Sequence, residues 1–250
     1  MKTINFACVL LLAAFAVSCG GGNGSSKSTS PQASLQGSWE VVLPNVNSAG
    51  QTGFIEVNFT QAGSSVTTSQ VEAFFLDKNN SPSSGYFYCY PTNTQSASAT
   101  LTGNSVSGTL TTCMGTASFT GTMNGNSIYG AYTGTSTGDA FNGSGSFTAS
   151  TVPSLSGTYA GPLTFTDGTA ENVSLSLSQN ASTVTATGSV SGPDAGSISL
   201  SGYAVANTVV GQGTVSGESW TVFGWYQVGQ LHVIVQENGF PHYLGGLIKQ

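Results

Sequence analysis

A period of two constrains this chain more than any other feature. At residues 173–179 the run VSLSLSQ sets Val173, Leu175 and Leu177 on one side and serines on the other. An extended backbone points successive side chains to opposite faces, so such a run reads as a strand with one face in a core and one in water. FIEVNFTQ at 54–61 alternates Ile55, Val57 and Phe59 with Phe54, Glu56 and Asn58, and SISLSG and QLHVIVQ do likewise. Asn-Gly, Gly-Asn and Ser-Gly steps recur between these runs and mark hairpin turns. After Pro31 no segment carries a helical period. The expected fold is all-β, an antiparallel meander.

Length and composition fit that expectation. The 250 residues leave room for one large domain or two of ordinary size. Charged residues make up only 6%, while β-branched and aromatic residues are plentiful, unlike a disordered chain. The basic set is Lys2, Lys27, Lys78 and Lys249, with no arginine, against ten carboxylates. Nothing in it can neutralise a phosphate backbone, so nucleic acid is excluded as a partner. The same poverty argues against electrostatic docking on anionic lipid.

The pattern occurs twice. LQGSWEVVL at 35 resembles LSGTYAGPL at 155, with Gly37 over Gly157 and Trp39 over Tyr159. VNFTQAGSSVTT at 57 resembles LSLSQNASTVTA at 175, with Gln61 over Gln179 and Val66 over Val184. FTGTMNGNSIYG at 119 resembles LSGYAVANTVVG at 200. On this alignment the first copy holds about 37 extra residues, an inserted hairpin region between 76 and 113. The domains expected are 35–150 and 153–250, two tandem related β-barrels or β-sandwiches. In the second copy, strands are expected near 157–165, 171–179, 182–191, 197–204, 207–215, 219–227, 230–236 and 242–248. Eight such strands can close into an up-and-down barrel without exposed edges. The opening Gly-x-Trp/Tyr of each copy resembles the first strand of lipocalin- and avidin-like barrels, although no arginine is present to close the barrel end.

The amino terminus supplies an address. Lys2 precedes FACVLLLAAFAV at 6–17, a signal-type apolar run too short to span a bilayer. It ends in Ala16-Val17-Ser18-Cys19-Gly20, which resembles the lipobox of bacterial lipoproteins, with Ala16 in place of the usual leucine. The resemblance implies a signal peptide at 1–18, cleavage before Cys19, and a thioether diacylglycerol with N-acylation (palmitate-type) on that cysteine. Several acyl chains hold a protein stably on a membrane where one does not. Residues 19–34 then read as the lipidated cysteine and a flexible Gly/Ser tether. In that family an aspartate after the cysteine retains the protein at the inner membrane, so Gly20 implies an exported protein of the outer membrane.

Chemistry-bearing motifs are few. With Cys19 lipidated, Cys89 and Cys113 are expected to form a disulfide in the oxidising envelope. His232 and His242 are ten residues apart, with no third ligand at a metal-site spacing. No G-x-S-x-G, H-E-x-x-H, P-loop or EF-hand pattern occurs. Neither a cofactor nor a metal is expected. The ten carboxylates, from Glu40 to Glu237, are scattered along the folded part, and no pair is singled out. The aromatics Tyr86, Tyr88 and Tyr90, together with Trp220 and Trp225, are the candidate ligand-binding residues, able to stack on a sugar or line an apolar pocket. The expected role is non-enzymatic: a lipid-anchored envelope protein binding a small ligand or a protein partner through its β-domains. The alternatives are a glycan hydrolase using two carboxylates, or a purely structural envelope protein.

Overall fold

Each alternating run becomes a strand and each glycine- or asparagine-bearing step becomes a hairpin. The computed structural model describes residues 33–44, 52–68, 70–76, 95–113, 115–135, 143–165, 168–192, 195–237 and 240–250. The first copy comprises β1 (Gly37–Leu43), β2 (Thr52–Ala62), β3 (Ser65–Thr68), β4 (Val71–Leu76), β5 (Ser96–Thr102), β6 (Ser105–Thr112), β7 (Gly115–Asn124), β8 (Ser127–Thr135) and β9 (Gly143–Thr151). Neighbours pair antiparallel in the order β1-β9-β8-β7-β6-β5-β3-β2, and β1 also pairs with β2, which closes the ring. Both β3 and β4 lie along β2, one on residues 60–62 and the other on 52–57. They are one barrel strand interrupted where the Thr68 hydroxyl bonds to the Gln70 backbone at 2.9 and 3.1 Å.

The second copy comprises β10 (Gly157–Phe165), β11 (Ala170–Asn180), β12 (Thr183–Ser191), β13 (Gly196–Val205), β14 (Thr208–Val215), β15 (Glu218–Gln227), β16 (Gln230–Glu237) and β17 (Phe240–Lys249). These eight close in sequential order, β17 returning to β10. The fold is therefore all-β, two tandem eight-stranded antiparallel barrels, and the eight strands of the second barrel lie where the alternation places them. In the second barrel closure leaves no row of unpaired backbone groups on its serine- and threonine-rich strands, whereas in the first β4 pairs only with β2 among the described strands.

The strand pairing corrects the alignment of the copies. The turn Gly103-Asn104 between β5 and β6 takes the place of Ala206-Asn207 between β13 and β14. The third matched block therefore set the β7–β8 hairpin over β13–β14, one hairpin out of step. The first copy's extra length is the β4–β5 connection, not a hairpin reaching to residue 113. Repeated Gly/Ser/Thr composition makes neighbouring hairpins look alike, and only the pairing separates them.

The well-aligned residues share a structural task. Leu35 and Leu155 are buried in their respective cores. The Leu35 amide donates to Gln61 Oε1 at 2.6 Å, and the Leu155 amide donates to Gln179 Oε1 at 2.8 Å. Trp39 Nε1 donates to the Leu35 carbonyl at 2.9 Å, and the Tyr159 hydroxyl donates to the Leu155 carbonyl at 2.6 Å. Each leucine packs into its core while a glutamine and an aromatic residue satisfy its peptide groups. Burial pushes the Tyr159 hydroxyl up to about 12, with the neighbouring Tyr226 adding to it, so it remains a donor. Lys249 Nζ lies 5.7 and 5.8 Å from the centroids of the Tyr159 and Tyr226 rings.

Candidate functional site at the junction of the barrels

The outer face of β1, β2 and β4 carries a row of carboxylates. Register places Glu40 opposite Glu56, and Glu56 opposite Glu72. Alternation alone would put that face in water, yet Glu56 and Glu72 are both 0% exposed. They are covered by the β13–β14 hairpin of the second barrel. Its Asn207 amide donates to Glu56 Oε2 at 3.1 Å, and Asn207 Nδ2 donates to Glu40 Oε2 at 2.7 Å. The Tyr203 hydroxyl reaches Glu72 Oε1 at 3.3 Å. Beside the row, Asn58 Nδ2 donates to the Ala204 carbonyl at 3.0 Å, and the Ala206 amide donates to Asn58 Oδ1 at 3.2 Å.

Burial pushes the Glu56 carboxyl well above the usual carboxylate range, and the charge of Glu40 pushes it further, against the lowering effect of the Asn207 amide. The Glu40 carboxyl is in hydrogen-bond contact with Glu56, while Glu56 Oε1 meets no amide or hydroxyl donor. With Glu56 out of water and two other carboxylates beside it, the protonated form of Glu56 is the favoured one.

An apolar patch flanks the row. Phe54 and Trp225 pack together across the junction, with Val42 and Ile234 against them. Trp225 also stacks on His232, its cross-strand neighbour, with centroids 4.9 Å apart and planes at 11°. Burial lowers the His232 imidazole below its ordinary value. His232 lies opposite Gly246 in the ladder, so the two histidines do not pair. The side chain of His242 lies outside the described residues. Among the described residues, no group of three or more His, Cys, Asp or Glu is placed to hold a metal ion.

Beside these contacts opens a cleft of about 530 Å³, lined by Glu40, Phe54, Thr151, Asn207, Tyr226 and Val228 among others. The barrel interiors differ sharply from it. Each holds an apolar space of only about 50 Å³. In the first barrel Phe119 and Phe147 meet edge to face at 6.0 Å. The Phe147 ring lies so close over Gly130 that a Cβ there would clash with it.

The residues singled out in the sequence are dispersed. Trp220 is buried in the core of the second barrel, whereas Trp225 lies at the junction. Tyr86, Tyr88 and Tyr90 lie outside the described residues, as do Cys19 and Cys89. Cys113 sits in the turn after β6 and is disulfide-bonded. The Glu40–Glu56–Glu72 row escaped the sequence because its members come from separate strands and only pairing aligns them. Their shared offset from the inward face was the available signal.

The fold and site define a double antiparallel barrel with a carboxylate-lined junction, each barrel having the eight strands also found in lipocalin-like barrels. No family model matches the sequence, and no curated protein matches it. Among solved structures, kievitone hydratase from Nectria haematococca is similar at 9% identity over 86% of this chain and 89% of that one. The TM-score is 0.23, too low to establish a shared fold.

Proposed function

We propose that this chain is an exported envelope lipoprotein, anchored through Cys19, whose double barrel binds a ligand or partner without catalysis, in the cleft between the barrels rather than inside either one. The carrying observation is the contrast in space: about 530 Å³ at the junction against about 50 Å³ in each interior. Sites for small molecules run from about 300 to 1,000 Å³. The lining offers a carboxylate, an amide and hydroxyls beside Phe54, Tyr226 and Val228. Such a mixture suits a ligand with polar and apolar faces, such as a sugar. The hydrolase reading draws less support. Glycosidase carboxyls stand about 5–9.5 Å apart, whereas Glu40 and Glu56 are in hydrogen-bond contact and Glu56 is wholly buried.

The test is a screen of sugars and small amphiphiles against the full-length chain by thermal shift and tryptophan emission. Binding that is lost in Glu40→Gln or Tyr226→Ala supports the cleft. Binding indifferent to both, or turnover of a glycan, overturns it. The anchor is tested separately. Cys19→Ala should abolish acyl labelling and release the protein from membranes, and a mature chain beginning elsewhere would refute it.

A further inference from the structure

We propose that a proton held on Glu56 and donated to Glu40 clasps the two barrels together, so that the junction is closed under acidic conditions and opens as the proton is lost. The geometry carries this. Glu56 is fully buried at the middle of a row of three carboxylates contributed by β1, β2 and β4. Its Oε2 is satisfied by the Asn207 amide, but its Oε1 meets no amide or hydroxyl donor. A proton on Oε1 supplies the missing donor and turns the contact with Glu40 into a hydrogen bond.

Among the described residues no base stands nearby to do this instead. The β13–β14 hairpin brings the Tyr203 hydroxyl and the Asn207 amide, and residues 196–215 contain no charged side chain. On β15 the charged residue is Glu218, which is exposed. His232 on β16 is stacked against Trp225, and Lys249 on β17 lies over the Tyr159 and Tyr226 rings. Within the row, Glu40 and Glu72 are both acidic and disfavour a charge on Glu56.

A carboxyl held above its unfolded value binds its proton more tightly in the closed state. Its contribution is complete below the unfolded value and disappears as pH rises through the folded one. Above that point Glu56 is a buried anion facing two others. Asn207 then separates from Glu40 and Glu56, and since Asn207 and Glu40 both bound the cleft, loss of the proton widens it. This inference needs no ligand and stands apart from the binding reading.

The experiment is hydrogen–deuterium exchange of the full-length chain from pH 5 to 9, in EDTA, corrected for intrinsic exchange rates. The peptide carrying the Ala206 and Asn207 amides is followed. In the wild type, opening should rise by up to tenfold per pH unit from the acidic end of the range, where Glu56 in the opened junction already loses its proton, and level off once the closed-state value is passed, the slope for one proton. Glu56→Gln keeps an acceptor for Asn207 and a permanent donor for Glu40, so its protection should stay flat. Glu218→Gln should track the wild type. If Glu56→Gln fails to fold, Glu40→Gln decides: removing the like charge should shrink the loss of protection. A flat wild-type profile overturns the clasp, as does a variant at Glu56 that keeps the wild-type slope. Protection restored at high pH by calcium but not by sodium would show that a divalent cation, not a proton, holds the junction.

Discussion

Truncating the leucine at the head of the second barrel gives a direct measure of how much that residue supports the fold. Leu155 is 1% exposed and packs within the second core. Its peptide groups bond to Gln179 Oε1 and the Tyr159 hydroxyl, and Leu155→Ala leaves both bonds possible. The loss is therefore apolar. Three carbons at about 0.8 kcal/mol each give roughly 2.4 kcal/mol. The unfilled cavity raises this to about 3 kcal/mol, inside the range of 2–5 seen for such truncations. With a urea slope of about 2 kcal/mol/M, the midpoint should fall by about 1.5 M. Urea unfolding followed by tryptophan emission measures this, with Leu35→Ala as the matching change in the first barrel. Ile248→Ala, at a side chain 57% exposed, should shift stability by less than about 0.5 kcal/mol. A loss below about 1 kcal/mol at an unchanged slope would mean that Leu155 does not close a packed core, and the argument would fail.

Tyr159→Phe removes the hydroxyl bond to a buried carbonyl and should cost about 1–2 kcal/mol at neutral pH. Because the Tyr159 hydroxyl is raised to about 12, its contribution is complete below the unfolded value near 10 and is lost as pH climbs through 12; alkaline unfolding should show that window in the wild type and not in the variant. Val228 is 96% exposed and holds φ +48°, where the equivalent turn of the first barrel has Gly125 at +60°. Val228→Gly should therefore raise stability by about 0.5–1 kcal/mol, and an unchanged or lower melting temperature would count against strain there. We propose that Cys113 pairs with Cys89 in a loop of about 25 residues, worth roughly 3 kcal/mol in the chain-entropy model. Both thiols should resist labelling until reductant is added, and labelling of Cys89 without it would reject the pairing.

The inward faces were legible because period-two alternation is local. Val173, Leu175 and Leu177 are buried and the serines between them exposed, as the run VSLSLSQ implies. The turns were legible for a similar reason, since asparagine and glycine supply backbone that other residues adopt only under strain. The matched positions of the repeat, Leu35 with Leu155 and Gln61 with Gln179, were visible as letters, although their task at the head of each barrel was not.

What the amino-acid sequence determined by itself is the strand count of the second copy, the face of each strand that points to a core, and the all-β class. Each depends on neighbours within about ten residues. Only the tertiary structure decided what becomes of the outward faces. Trp220 and Trp225 lie in one strand and look alike as candidates, yet one fills a barrel and the other meets Phe54 across the junction. FIEVNFTQ reads as half buried, but Phe54 and Glu56 are buried on its outer face because the second barrel docks there. The carboxylate row exists only once β1, β2 and β4 have paired and the β13–β14 hairpin has closed over them. Alternation reports which side of a strand faces its own barrel. It carries no information about a second surface arriving from some 150 residues away, as Asn207 does at Glu56.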